Sequence, residues 1–265
     1  DDGSSDNTRE IVQEWQKKDN GFEIQYIYKE NGGMHTAHNT AYENIDTELN
    51  VCVDSDDYMP DNAVQLIIDC WNKNKNKGYA GIIALDFADL TKKVIGKELP
   101  TDKESTTLMG YYNNGGFGDK KLIYRTDIIK QTPPYPVFNN EKYVALAYKY
   151  HLIDEKYELK ILNECVCIVD YQMDGSSTNM YRQYVRNPKG FAFWRKEQMK
   201  HSINTKQKIK ACIHYVSSSL IAKNKHFIKE SPEKFLTVLS VPLGFLLKII
   251  VVKKSKSSYM KVEGI

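Results

Sequence analysis

A mostly parallel α/β sheet flanked by helices, continued by a helical C-terminal extension, is the fold class this sequence predicts, and three observations carry it. Apolar runs of strand length alternate with helical stretches of about ten residues between Glu23 and Leu85. Two acidic turns, Asp1-Asp2-Gly3-Ser4-Ser5-Asp6-Asn7-Thr8 and Asp54-Ser55-Asp56-Asp57, stand where strands of such a sheet would end, and open α/β sheets bind ligands beyond the carboxyl ends of their strands. Past Arg182 the chain turns basic and helical.

The elements follow in order. Asn7 with Glu10 three residues later reads as a capping box, and Ile11, Val12 and Trp15 then share a helical face as far as Asp19-Asn20-Gly21. Glu23 to Tyr28 reads as a strand, Met34 to Glu43 as a helix, and Leu49 to Val53 as a short buried strand. Asp61 to Trp71 carries Ala63, Leu66, Ile67 and Cys70 at helical spacing, and Tyr79 to Leu85 is a further strand. From Asp86 to Gly118 the pattern weakens into loops or a small antiparallel insertion. Lys121 to Tyr124 is a strand, Pro133-Pro134-Tyr135-Pro136 a rigid turn, Glu141 to Leu152 a helix and Leu159 to Tyr171 a long strand.

With 265 residues and 41% hydrophobic content, the chain is long enough for one substantial core or for one domain plus an appendage. That composition excludes a disordered polymer. The five cysteines show no CxxC spacing, which favours a reduced cytoplasmic setting over a disulfide framework. The net charge of +3 conceals an asymmetry: residues 1–180 carry −11 and residues 181–265 carry +14. The expected division follows it, a ligand-binding domain over 1–180 and a basic helical region over 181–265.

Two acidic turns in one α/β domain raise a question of charge. A pyrophosphate is itself anionic, so carboxylates beside it require a cation. Mg²⁺ or Mn²⁺ suits, because these hard ions are held by one or two carboxylates plus phosphate oxygens. Asp56, with Asp54 or Asp57, is the candidate ligand, and Asp2 would face a base or ribose. The competing reading of Asp54 to Asp57 is an acidic turn that starts the next helix. Glu30-Asn31-Gly32-Gly33 opens a helix, where free N–H groups suit an anion. His35 and His38 lie three apart beside it, and without a third ligand nearby they read as polar contacts rather than a metal pair.

The acidic opening turn, the Glu30-Asn31-Gly32-Gly33 loop and Asp54-Ser55-Asp56-Asp57, in this order and spacing, resemble the family-2 glycosyltransferases of GT-A fold over about residues 1 to 180. The resemblance implies a nucleotide-sugar-dependent, inverting enzyme of bacterial capsule, exopolysaccharide or other cell-envelope glycan synthesis. It implies that Asp2 contacts the base with Asp1 supporting its turn, that Asn31, Gly32, Gly33 and Asn39 line the donor pocket, that Asp54 lies near the ribose, and that Asp56 is the metal-binding Asp of a DxD motif. The implied donor is a nucleotide diphosphate sugar, a UDP-sugar foremost, and the implied acceptor a glycan or lipid-linked sugar. The family's opening apolar strand is missing from this sequence, which reads as an N-terminal truncation. Where many members show Glu-Asp as the base, Asn140-Glu141-Lys142 stands here, so Glu141 is the candidate; it also reads as an ordinary helix N-terminal carboxylate. A non-catalytic nucleotide-sugar-binding or scaffolding protein is the alternative. A nucleotidyltransferase would require a Gly-rich basic loop that the sequence lacks.

The loop Asp170 to Ser177 resembles the family's link into its C-terminal helices. Beyond it, Tyr181, Tyr184, Phe191, Phe193 and Trp194 interleave with Arg182, Arg186, Lys189 and Arg195. Such a mixture suits helices that pack by aromatics and face an anionic membrane, and no nucleic-acid partner is expected. Phe235 to Val252 is apolar, but Pro242, Gly244 and Lys248 interrupt it, so it reads as an interfacial or re-entrant segment, with a buried core helix and a solvated tail as the competing reading. Lys253, Lys254, Lys256 and Lys261 follow, so 235–261 is expected to meet the cytoplasmic face of a bacterial cell membrane.

Overall fold

A computed structural model describes residues 1–170 and 180–262, so the expected loop 170–177 lies outside the described residues beyond Asp170, as do the side chains from residue 257 on, Lys261 among them. The chain divides into two compact units, one of residues 1–41, 134–146 and 180–262 and one of residues 42–133 and 147–170. Its elements, in chain order, are α1 (Thr8–Gln16), α2 (Met34–Asn44), β1 (Leu49–Val51), α3 (Ala63–Asn74), β2 (Gly81–Ala88), β3 (Lys93–Val94), β4 (Ser105–Thr106), α4 (Leu108–Asn113), β5 (Lys120–Arg125), α5 (Thr126–Gln131), α6 (Ala147–Asp154), β6 (Leu159–Val169), α7 (Met180–Arg186), α8 (Pro188–Lys200), α9 (Thr205–Ile221), α10 (Phe227–Glu230), α11 (Lys234–Leu239) and α12 (Val241–Val262).

The second unit holds the sheet, in the order β1-β5-β2-β6-β4 with β3 beside β2. β2 is central because it can be buried on both faces: Ile83 and Leu85 pack into one apolar cluster with Leu99, Tyr111, Ile129 and Leu159, while Ile82 and Ala84 pack into another with Ala63, Ile67, Trp71 and Val166. The α/β class holds, but the sheet is mixed rather than mostly parallel. Among the described residues, β2 with β6 is the parallel pair, and β5, β1, β3 and β4 join antiparallel. The reason is local. The segment 86–125 doubles back through β3, β4 and α4 without a helix long enough for a crossover, so β5 returns beside β2 in the opposite sense.

The first unit is helical. Cys212, Tyr215, Ala211 and Met199 form its apolar centre between α8 and α9, with Phe227 and Leu236 against it. Asn7 makes no side-chain cap at α1; Asp6 takes that role, accepting from the Thr8 amide at 3.1 Å and the Thr8 hydroxyl at 2.5 Å. The strand expected at Glu23–Tyr28 is an extended segment: Asp1 donates to the Ile27 carbonyl at 2.9 Å and accepts from the Lys29 amide at 3.0 Å, too few bonds for a ladder. The helix expected from Glu141 begins at Ala147. Asn140 sits at a φ of 64°, outside the right-handed helical region, and the Lys142 amide is taken by Asn187 at the start of α8 instead of an i−4 carbonyl.

Candidate functional site

Asp2 is the centre of a compact cluster in the first unit. Its carboxylate accepts from Lys29 Nζ at 2.6 Å, the Gly32 amide at 3.0 Å and the Gly33 amide at 2.8 Å. Burial disfavours the ionised carboxyl, but Lys29 and the two amides outweigh it and hold the group below its ordinary value. Lys29 also donates to Thr36 Oγ1 at 2.8 Å, which ties the cluster to the first turn of α2. Gly33 adopts a φ of +92°, and a Cβ there would stand 2.0 Å from the Lys142 carbonyl, so glycine is required by both conformation and contact. The Gly-Gly amides expected to face a phosphate are therefore engaged by Asp2. Asp1 supports the turn, its carboxylate accepting from the Ser4 amide at 2.8 Å and from the Tyr26 hydroxyl. The Asn39 amide clamps the Pro-rich turn, donating to the Tyr135 carbonyl at 2.9 Å and accepting from the Tyr135 amide at 2.8 Å. Asn31 is exposed.

Glu141 is 8% exposed, and its two oxygens accept from the Lys189 amide at 3.0 Å and the Gly190 amide at 2.8 Å. These are among the free N–H groups at the start of α8, where a carboxylate is favoured by the helix dipole. Asn187 completes the joint by accepting from the Lys142 amide at 2.7 Å. Glu141 thus anchors α8.

In the second unit, the acidic turn follows β1 and closes through the Asp57 amide donating to the Asp54 carbonyl at 3.0 Å. Tyr58 then bridges to Ile168 by two backbone bonds, 3.0 and 2.7 Å, which fastens the turn to the end of β6. Asp54 and Asp56 are exposed, and Asp57 points inward. Asp57 accepts from the Asp170 amide at 3.3 Å and lies 4.0 Å from Lys121 Nζ. Lys121 in turn lies 3.8 Å from Asp86 and 3.5 Å from the Cys52 carbonyl. Burial pushes Asp86 up to about 7, with Lys121 pulling the other way, and its Oδ1 makes no hydrogen bond among the described residues. Burial works against the Lys121 ammonium as well, but Asp86, Cys167 and Asp57 together outweigh it and raise the group.

Sequence reasoning passed over Lys29, Lys121, Asp86 and Asn187. One signal was available: Asp86 is a lone carboxylate ending the apolar run from Ala80 to Leu85. Among the described residues no group of three or more His, Cys, Asp and Glu side chains gathers into a metal cage. Two exposed carboxylates on one turn are nevertheless a donor set that fits Mg²⁺ or Mn²⁺, which take hard oxygen ligands and keep positions for phosphate and water.

An α/β domain with a central buried strand, a mixed sheet and an acidic turn beside that strand's neighbours has the architecture of a GT-A glycosyltransferase. Residues 1–132 match the family model "Glycosyl transferase family 2", a segment that contains both acidic turns and the Gly-Gly loop. Through this segment the chain belongs to glycosyltransferase family 2 and is a glycosyltransferase. Its structure is similar to S. aureus TarS residues 1–349 in complex with UDP-GlcNAc, with a TM-score of 0.57 at 16% identity over 98% of this chain and 81% of that one. A second S. aureus TarS 1–349 structure gives 0.53 at 16% identity, over 98% and 80%. No curated protein matches the chain by sequence.

Proposed function

We propose that this protein is an inverting glycosyltransferase that moves a sugar from a nucleotide diphosphate sugar, a UDP-sugar foremost, to a glycan or lipid-linked acceptor in bacterial cell-envelope polysaccharide synthesis, at the cytoplasmic face of the membrane. The observation that carries it is the division of labour in the acidic turn: Asp57 is turned inward toward Lys121, while Asp54 and Asp56 present their carboxylates outward. The likeness to a TarS structure that contains UDP-GlcNAc supports the donor class. On this reading residues 1–180 are the catalytic domain and 181–265 the membrane-associating region.

Asp56, with Asp54 beside it, would hold Mg²⁺ or Mn²⁺. Bound there, the cation supplies charge stabilisation to the leaving diphosphate. Asp2 serves the base end of the donor, its ionised form maintained by Lys29, so that it can accept a hydrogen bond from a base or ribose donor. Asn31 and the Gly32-Gly33 backbone belong to the same end, and Asn39 acts on it by holding the Tyr135 turn. Glu141 is the candidate base, a role that requires it to come within about 2.6 to 3.2 Å of the acceptor hydroxyl or to reach it through one water. Each of its oxygens accepts one α8 amide and keeps a second lone pair, and taking a proton would use one of these. That engagement is also the one observation favouring the alternative, a non-catalytic nucleotide-sugar-binding protein.

Release of nucleoside diphosphate from a panel of nucleotide sugars, with Mg²⁺ or Mn²⁺ and with chelator, tests the proposal. The expected result is cation-dependent release that Asp56→Ala abolishes. Glu141→Gln, which keeps one acceptor oxygen for α8 but turns an NH2 toward its second amide, is expected to lower the rate about 10²-fold or more and to lower the melting temperature by a few degrees. Equal release by wild type and Asp56→Ala would remove the cation from Asp56. An unimpaired Glu141→Gln would leave that residue as the α8 anchor alone, and donor binding without release would establish the non-catalytic alternative.

A further inference from the structure

Helices α11 and α12 are built inside out. A water-facing helix hides its large apolar side chains and shows its polar ones. Here most of the hidden positions are small or polar: Thr237, Ser240, Gly244 and Ser255 are buried, with Val251 and the partly buried Leu236 as the apolar ones. Gly244 lets α12 approach α9 so closely that a Cβ would stand 2.5 Å from Val216. The outward positions are the apolar ones, with Phe235 at 75% exposure, Leu239 at 60%, Leu243 at 55%, Leu246 at 54% and Phe245 at 51%. So much contiguous outward apolar surface exceeds the scattered exposure normal for soluble proteins.

Between α9 and α12 this face opens into a groove of about 390 Å³, floored by Ile209, Ile213, Leu243, Leu246 and Ile250. Lys206 and Lys210 stand at its rim. Lys248 lies with its Nζ 5.8 Å from the Phe245 ring centroid, and Lys253 and Lys254 are exposed beyond it. From Lys234 to Val262 there is no Asp or Glu. No helix among the described residues is long and apolar enough to cross a membrane.

We propose that the outward face of α11 and α12, with the Lys206 and Lys210 edge of α9, is a docking surface for an anionic lipid bilayer. The large side chains enter the headgroup and acyl boundary, the lysines meet lipid phosphates, and the α9/α12 groove takes an acyl chain. A second copy of this chain is a poorer occupant, because a two-fold contact would set this lysine-rich, acid-free face against itself. A bilayer with anionic headgroups complements both its apolar centre and its positive rim. The inference rests on the membrane-face part of the proposed function and on none of its donor chemistry, so a failed sugar-transfer assay leaves it intact.

Flotation of the full chain with vesicles of phosphatidylcholine, alone or mixed with phosphatidylglycerol, tests it, with light scattering as a control for self-association. The expected result is binding to the mixed vesicles that falls at high salt. Each of Lys248→Glu and Lys253→Glu should weaken that binding about fivefold or more, since a lysine near an anionic surface contributes about that factor. The double variant Leu239→Glu with Leu246→Glu should lose binding to the mixed vesicles while melting as wild type, since both positions are exposed. Undiminished binding by that double variant would overturn the surface. So would a wild-type dimer that ignores vesicles and becomes monomeric in the double variant, which would make a second copy the occupant.

Discussion

Lys121 shows what a single side chain does in this protein. It is the cation between two buried carboxylates, and its removal leaves Asp57 and Asp86 facing each other without compensation. Deleting one partner of a buried pair costs about 3–5 kcal/mol when the other stays charged, but about 1–3 kcal/mol when the other can neutralise, as Asp86 can with its carboxyl already pushed up to about 7. Urea unfolding of Lys121→Met is expected to show a loss of the smaller size, and adding Asp86→Leu should recover part of it. A single variant as stable as wild type would mean the ion pair contributes nothing. Nothing in the sequence near Lys121 marks this role. On β5 it is one lysine of a Lys-Lys pair, and the structure alone separates Lys121 beside Asp86 from Lys120, which donates to the Ile95 carbonyl at 2.9 Å. Asp2 was legible, as the acid of a turn with a distinctive pattern. Its partner Lys29 was not, because the contact crosses a stretch of chain whose path the local sequence leaves open.

At the scale of elements, the segments with strong apolar periodicity came out as read. α2, α3, β2, β5 and β6 all lie within a few residues of their expected bounds, because burial of one face or both selects helix or strand directly. The failures have a common cause in competing partners. Glu23–Tyr28 has strand composition but little to pair with among the described residues, and the start of the expected helix at Glu141 was taken over by α8. α4 illustrates a long-range cap. Asp154, at the end of α6, accepts from the Met109 amide at 2.8 Å and the Leu108 amide at 3.3 Å, while Thr107 caps Gly110 locally. Burial pushes Asp154 from its ordinary 3.8 up to about 6, against the lowering effect of those amides. The folded state therefore binds this proton more tightly than the unfolded chain does. Its contribution to stability is complete below the unfolded value and is lost as pH rises through about 6. Melting temperatures between these two limits should fall with rising pH, and Asp154→Asn should flatten the slope; an unchanged slope would assign it to other groups.

For the whole molecule, the test of a donor site is linkage. A ligand that binds only the folded protein at about a hundred times its dissociation constant adds about 2.7 kcal/mol of stability. A UDP-sugar with Mn²⁺ should raise the melting temperature, either one alone should do so much less, and Asp56→Ala should abolish the combined effect. An equal rise in that variant would separate donor binding from the acidic turn. By itself the sequence determined the α/β class, the family resemblance, the two acidic turns and the division between an acidic and a basic half, since these depend on residue type and spacing along the chain. Only the tertiary structure decided that the sheet is mixed, that Asp57 faces Lys121 while Asp56 faces out, that Glu141 anchors α8, and that α12 wears its apolar side chains outward. Each of these is a choice of partner between residues far apart in the chain, settled by which groups could be buried together with their charges and hydrogen bonds satisfied.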